Sequence, residues 1–160
     1  VYPDSYSTVR AWHLWEHLIQ DADSLLPNYG QISQHPERMN INFGTVGGLN
    51  APNTSNADWL HFNSLDYNPY LDQILISARN SNEIYIIDHS TTTEEASGHN
   101  GGNSGMGGDF LYRWGNPQNY DRGNNSDHIL DAQHGVNWIP SGYPGEGNLI
   151  LFNNGHFLFP

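Results

Sequence analysis

The chain has 160 residues, which is long enough for one domain with a sizeable core and too short to require two. Its formal net charge of −12, with 17 acidic residues against five arginines and no lysine, argues against nucleic acid and anionic membrane surfaces as partners, because both bind basic faces. The lack of cysteine excludes disulfides, thiolate catalysis and cysteine-ligated zinc, and no stretch approaches the roughly 20 apolar residues of a membrane span.

Residues 7–20, STVRAWHLWEHLIQ, form the first predicted element, and their pattern fits two structures. Trp12, Trp15, Leu18 and Ile19 fit one face of a helix, whereas the early part of the segment also fits a strand. We predict a strand that passes into a short helix.

The same segment contains HLWEH at 13–17, which matches the HxxEH signature of one class of zinc peptidases. His13 and His17 would share a helix face and bind zinc, and Glu16 would act as the base. The match is short, and the two bulky apolar residues inside it fit packing equally well. We therefore assign no metal site to the chain.

The remaining strands are predicted from apolar runs, and the 17 glycines, 9 prolines and 12% aromatic residues agree with an all-β fold of short strands and many turns. Each run is rich in β-forming residues and is bounded by Asn, Gly, Asp or Pro. The four runs are QILISAR (73–79), EIYIIDH (83–89), DFLYRWG (109–115) and NLILFNN (148–154). The tripeptide NSN between the first two predicts a hairpin turn. Residues 44–57 and the Gly/Asn/Thr-rich residues 91–108 are predicted loops.

An internal repeat relates HFNSLDYNPYLDQILISARN (61–80) to HGVNWIPSGYPGEGNLILFNNG (134–155). Each copy begins with a histidine, passes through a turn and enters an apolar strand that ends in polar residues. Strand–turn–strand units that recur in this way are typical of a β-propeller, with a long inserted loop lengthening the usual period. We therefore predict that residues 1–160 are a single propeller segment of about three blades, truncated at both ends.

Four residues at the repeats predict a site for an anionic group. His61, Asn63 and Arg79 flank one apolar strand, and His134 occupies the position of His61 in the second repeat. Inner strands of a propeller line one channel, so these residues would converge there. Arg79 suits a sulfuryl or phosphoryl group, and a neutral imidazole can act as its nucleophile. The alternative is that both histidines are turn residues and that Arg79 pairs with a carboxylate.

Four blocks in this order resemble the bacterial aryl-sulfate sulfotransferase family. They are DWLHFNSLDYNPYLDQILISARNSNEIYIIDHSTT, GGDFLYRWGNPQNY, QHGVNWIP and GEGNLILFNNG. The resemblance implies an exported, six-bladed propeller, periplasmic or extracellular, that moves a sulfuryl group from a phenolic sulfate ester to a phenol without a nucleotide donor or other cofactor.

The resemblance also implies roles for individual residues. The nucleophile of the family, sulfated transiently, falls on His134, and its sulfate-binding histidine, asparagine and arginine fall on His61, Asn63 and Arg79. A further histidine of the family, from an earlier blade, has no counterpart in this sequence. The HLWEH stretch resembles a packing segment of the family, which argues against zinc.

The alternative from another functional class is a non-catalytic propeller that binds glycans or assembles at a surface. Its exposed aromatic and amide side chains would contact sugars or neighbouring subunits. A second copy or a further chain would then complete the ring.

Overall fold

The computed structural model describes residues 8–43 and 58–155, and the predicted loop at 44–57 lies outside them. The described residues form strands β1 (Leu18–Ile19), β2 (Met39–Asn40), β3 (Phe62–Asn68), β4 (Gln73–Ala78), β5 (Glu83–Asp88), β6 (Phe110–Trp114), β7 (His134–Trp138) and β8 (Leu149–Phe152). One turn of α-helix, α1 (Thr93–Ala96), and 3₁₀ helices at Leu14–His17, Ile32–Gln34, Pro117–Tyr120 and Asn125–Asp127 complete them. The all-β prediction is confirmed, and none of these helices has the length and apolarity needed to cross a membrane.

The largest sheet is an antiparallel meander in which β3, β4, β5 and β6 pair in sequence order. Strands β1 and β2 form a small parallel sheet, and β7 and β8 form a small antiparallel one. The predicted turn between β4 and β5 is confirmed, and Asn82 adopts the left-handed φ of 56° that ends it. Four antiparallel strands are the unit of a propeller blade. The described residues contain one four-stranded antiparallel sheet and two two-stranded sheets, and the three blades stay a prediction.

The core lies on both faces of the central meander, which is why β4 and β5 read as continuous apolar runs. On one face, Ile76 and Tyr85 pack with Met39 and the segment before β1. On the other face, Leu75 and Ile84 pack against β7 and β8. Each fully buried aliphatic side chain contributes about 1.5–3 kcal/mol of hydrophobic free energy. This two-sided burial holds β3, the edge strand of the meander, beside β7.

The prediction for residues 7–20 was wrong in its order, because the described residues before Leu14 form no strand, and the 3₁₀ helix Leu14–His17 precedes β1. The indole of Trp12 donates to the Gly108 carbonyl at 2.7 Å, and His17 is fully buried against residues of a distant loop. Trp15 is 68% exposed, so the four apolar residues do not share one buried face. Contacts with residues more than 75 positions away override the local periodicity.

The glycine-rich loop at 91–108 contains α1, which begins with a capping box formed by Thr92 and Glu95. Asp88, which is buried, anchors the loop from the end of β5. Its carboxylate accepts from the backbone amides of Ser90 and Ser104, both at 2.9 Å, and from their hydroxyls. Arg10 donates to the carbonyl of Asp88 at 2.7 Å. The carboxylate of Asp88 therefore anchors the loop to the end of β5.

We predict that Asp88→Asn loosens this loop. Burial disfavours the charged form, but the donors on Ser104 and Ser90 outweigh it, so the pKa of Asp88 lies below its ordinary value. A lowered aspartate pKa adds stability at pH values above the unfolded-state pKa, and that stability is lost as the pH falls through the folded-state pKa. We expect Asp88→Asn to lower the free energy of unfolding by about 1.5–3 kcal/mol near neutral pH, because hydrogen bonds to a charged group are removed.

Hydrogen exchange of the amides of residues 90 and 104 measures this effect. Asp21→Asn is the matched control, because Asp21 is exposed. In the wild-type protein, protection of both amides should disappear only at pH values below the ordinary range of an aspartate. Equal protection in the two variants near neutral pH would show that the carboxylate does not anchor the loop.

Candidate functional site

Strands β3 and β7 lie side by side and run in the same direction, which brings the two repeats together. The side-chain amide of Asn63 donates to the backbone carbonyl of Gln133 at 2.7 Å, and the backbone amide of Val136 donates to the Ser64 hydroxyl at 2.9 Å. Further along, the Trp138 amide donates to the Asp66 carboxylate at 2.8 Å. The starts of both strands, and with them His61 and His134, therefore lie at the same end of the strand pair.

His134 is half-buried at the first position of β7, and its ring has a defined hydrogen-bond partner. Nδ1 lies 2.9 Å from the Ala132 carbonyl oxygen, and the Asn154 amide donates to the same oxygen at 2.5 Å. Nδ1 also lies 3.2 Å from the side-chain nitrogen of Asn154. Because a carbonyl oxygen only accepts, the shorter contact, with Ala132, favours the hydrogen on Nδ1. In the neutral ring, Nε2 then has the lone pair that a nucleophile needs.

His61 precedes β3 and has a left-handed φ of 53°, which turns its side chain out at the strand entrance. Its Nδ1 forms a short hydrogen bond with the carboxylate of Asp58, and the ring is exposed. Its backbone carbonyl accepts from the amide of Arg79 at 3.1 Å. This backbone bond places the end of β4 directly beside the start of β3, so His61 and Arg79 share one edge of the site.

Arg79 is half-buried, and its guanidinium has more N–H donors than the one hydrogen bond described next uses. Nη1 donates to the side-chain oxygen of Asn80 at 3.1 Å. Among residues 8–43 and 58–155, no carboxylate forms an ion pair with Arg79, whereas Arg113 pairs with Glu83. The alternative in which Arg79 serves a carboxylate therefore has no support within this part of the chain, and its guanidinium can take an anionic ligand.

Asn63 joins the two repeats instead of projecting freely. Its amide nitrogen is used by the Gln133 carbonyl, and its Oδ1 is buried without a hydrogen-bond partner in the described region. Asn63 also lines a cleft of about 620 Å³, together with Trp12, Trp15 and Phe62. The cleft is mostly apolar and aromatic, as is typical of a site for an aromatic ring.

Comparison of the chain with known protein families identifies its family. The family model described as Arylsulfotransferase (ASST) matches residues 5–159, nearly the whole chain. The chain belongs to the arylsulfotransferase family. Membership supports a sulfotransferase function and small-molecule substrates at the level of the family. Comparison with curated proteins found no match, and comparison with solved structures found none either.

Two residues of the candidate site escaped the sequence analysis. Asp58 contacts His61 from three positions earlier, and the DxxH spacing in DWLH was the available signal. Gln133 directly precedes His134 and is fully buried. Its signal was the QH pair, but a glutamine in a polar stretch reads as surface until the fold shows where its amide lies.

The HLWEH stretch of this family member forms separate contacts. His13 lies 3.4 Å from Glu16 and stacks on Trp15. His17 points away to Asp109, with Nδ1 2.7 Å from its carboxylate and Nε2 2.8 Å from the Ala96 carbonyl oxygen.

His17, His99 and Asp109 come close enough to suggest a metal site. However, Nε2 of His17 lies 2.8 Å from the Ala96 carbonyl oxygen and its Nδ1 lies 2.7 Å from the Asp109 carboxylate, so both ring nitrogens already have hydrogen-bond partners. His99 also contacts Asp109, at 2.9 Å, and Arg38 lies 3.9 Å from the same carboxylate. This cluster contains neither His13 nor Glu16, so it is not the HxxEH zinc site, and its contacts fit a set of hydrogen bonds around the buried Asp109 carboxylate.

Proposed function

We propose that the natural protein containing this chain transfers a sulfuryl group from a phenolic sulfate ester to a phenolic acceptor through a sulfated His134. No nucleotide donor or other cofactor takes part. The observation that carries the proposal is the hydrogen bond from His134 Nδ1 to the Ala132 carbonyl, which leaves Nε2 without a hydrogen-bond partner among the described residues. Family membership supports the reaction class.

In the first half-reaction, His134 Nε2 attacks sulfur while the bond between sulfur and the phenolic oxygen breaks. The phenolate leaves with that electron pair, and the ring becomes cationic on bonding to sulfur. Its Nδ1–H stays donated to the Ala132 carbonyl, which stabilises the new charge. Arg79 donates to the sulfuryl oxygens as charge develops on them. His61, held by Asp58, donates to the same oxygens from Nε2 when its ring is protonated.

In the second half-reaction, the oxygen of an acceptor phenol attacks the same sulfur atom. The bond from sulfur to Nε2 breaks, and its electron pair returns to the ring. The phenolic proton passes to the departed phenolate or to solvent. His134 is thereby restored with its hydrogen on Nδ1, ready for another cycle.

The cleft beside Asn63 is the proposed site for the aryl group. Phe62 is 46% exposed and Trp15 is 68% exposed, so both rings are accessible for stacking. Asn63 itself is proposed to bind the sulfuryl group only through its second N–H, since the first donates to Gln133. The net charge of −12 does not help to bind an anionic donor, so Arg79 has to supply the local positive charge.

The wider architecture is proposed as a six-bladed propeller, exported to the periplasm or outside the cell. Two observations support the propeller. The first is the four-stranded meander, and the second is that its edge strand β3 runs parallel to β7, the first strand of the next sheet along the chain. Inner strands of successive propeller blades are arranged in this way around a central channel. Export rests on the resemblance of the sequence to the family.

Incubation with a chromogenic aryl sulfate tests the reaction. Intact-mass measurement of the natural protein should show a gain of one sulfuryl group, together with release of the phenol. An added phenol should then remove the group and appear as its sulfate ester. A folded protein that shows neither mass gain nor phenol release would overturn the proposal.

Arg79→Lys is predicted to slow two rates by about 10- to 100-fold: the initial release of phenol, which accompanies sulfation of the protein, and the steady-state release during turnover. Lysine keeps the charge but loses the planar fork of donors that matches two oxygens at once. Stopped-flow measurement of phenol release gives both rates. Arg122→Lys is the control, since Arg122 is exposed and bonds a single carbonyl, that of Ser33. If the two variants show the same rates, Arg79 does not contact the sulfuryl group.

A second cavity favours the non-catalytic alternative. It measures about 520 Å³ and lies between the β3–β4 turn and the β7–β8 loop, where Tyr67, Tyr70, Trp138 and Glu146 line it. Aromatic faces beside a carboxylate suit a sugar ring. Saturable oligosaccharide binding, combined with no sulfuryl gain on the folded protein, would favour this glycan-binding function. Sedimentation of the same sample would show whether a second copy or a further chain completes the ring.

A further inference from the structure

Gln133, the residue before His134, is bound to the β4–β5 hairpin by its side chain. Its Nε2 lies 2.8 Å from the Glu83 carbonyl oxygen, 3.0 Å from that of Ala78 and 3.2 Å from the Ser77 hydroxyl. The side chain is completely buried. Since two of the three partners are carbonyls, the amide must donate here and cannot be exchanged for a group that only accepts.

The backbone around Gln133 is folded back on the ring of His134. Ala132 has a left-handed φ of 50°, which a residue with a Cβ adopts only when its surroundings hold it there. Its amide donates to the side chain of Asn82 at 2.8 Å, and its carbonyl faces His134 Nδ1 at 2.9 Å. The side-chain nitrogen of Asn154 lies 2.5 Å from the same carbonyl oxygen and 3.2 Å from Nδ1. On the far side, the Gln133 carbonyl accepts from Asn63. Every peptide from 132 to 134 is thus fixed by a bond to another part of the fold.

We infer that Gln133 is a positioning residue that fixes both the location and the tautomer of His134. The buried amide ties the peptides of residues 132–134 to the β4–β5 hairpin, and this bond aims the Ala132 carbonyl at Nδ1. The hydrogen is thereby kept on Nδ1, and Nε2 keeps the lone pair on the side of the sulfuryl group. The catalytic consequence rests on the proposed function, but the tautomer does not.

The opposing view is that Gln133 is one more buried amide that only stabilises the fold. Asn119 provides a matched control for that view. It is also completely buried, and its amide bonds the Ser81 carbonyl and the Glu83 carboxylate in the same hairpin. Its side-chain oxygen, like that of Gln133, has no hydrogen-bond partner among the described residues. Asn119 makes no contact with the backbone of residues 132–134 through these bonds.

The experiment compares Gln133→Met with Asn119→Leu, each close in shape to the residue it replaces, in the natural protein. Ring ¹⁵N chemical shifts of His134, assigned by loss of its signals in His134→Gln, report which nitrogen carries the hydrogen. We expect wild type and Asn119→Leu to show the hydrogen on Nδ1. Gln133→Met should show a mixture of tautomers. Thermal unfolding should show that both variants lose stability.

Kinetics provide the second readout. The rate of sulfation of His134 should fall about 10- to 100-fold in Gln133→Met, because a displacement of about 1 Å at a reacting atom has effects of this size. KM for the aryl sulfate should change little, and Asn119→Leu should keep both constants. An unchanged tautomer in Gln133→Met, or equal loss of rate in both variants, would overturn the inference. If no protein is sulfated, the proposed function fails while the tautomer comparison still decides the role of Gln133.

Discussion

His134→Ala is expected to abolish sulfation of the protein and to lower aryl sulfate turnover by at least about 10³-fold, the scale on which removal of a covalent nucleophile acts. The reason is that Nε2 of His134 has a free lone pair, because Nδ1 donates to the Ala132 carbonyl. Intact mass after incubation with a chromogenic aryl sulfate, together with the rate of phenol release, measures both effects.

A second substitution at this position separates chemistry from folding. His134→Gln retains an amide that can donate to the Ala132 carbonyl, but it has no nucleophilic nitrogen. It should therefore fold like the wild type and remain without label. His35→Ala is the control, since His35 lies outside the site and pairs with Glu37. Normal labelling of His134→Ala would remove this residue as the nucleophile, and a sulfated peptide containing His61 would name the replacement.

Strands β4 and β5 could be predicted from the sequence because their burial is nearly uniform along each run. Strands β4 and β5 pack on both faces, so each reads as an uninterrupted apolar segment bounded by turn residues. Strand β1 could not be predicted in this way. Its position depends on Trp12 and His17, whose partners lie 79 to 96 positions further along the chain. No local pattern contains that information.

The same holds for the site, where the identities of residues could be predicted from the sequence but their geometry could not. His61 and His134 could be found from the repeat, and β3 and β7 do bring them to the same end of two neighbouring strands. The tautomer of His134 could not be found, because it depends on the left-handed conformation of Ala132, a residue with no preference for it. Sulfate binding by Asn63 stays a prediction, and the structure adds that one N–H of its side-chain amide joins the two repeats.

Arg113→Met is expected to lower the free energy of unfolding by about 3–5 kcal/mol, because it leaves the buried carboxylate of Glu83 without its counter-ion. Glu83 is completely buried and accepts from Arg113 at 2.5 and 2.9 Å. Burial alone lowers the pKa of Arg113, but the charge of Glu83 reverses the shift, so the pKa lies above its ordinary value. Burial and the same negative charge hold the pKa of Tyr85 well above its usual range.

Chemical unfolding of the natural protein measures this effect, and two further variants identify its cause. Arg122→Met removes an exposed arginine and should change stability by no more than about 0.5 kcal/mol. Glu83→Gln combined with Arg113→Met should recover much of the loss, because no unpaired charge then remains in the core. If the double variant is as unstable as Arg113→Met, charge pairing with Glu83 is not the lost contribution. The loss then comes from packing of the guanidinium on Tyr120, 4.1 Å from its ring centre, and from its hydrogen bonds to the Pro36 and Arg38 carbonyls.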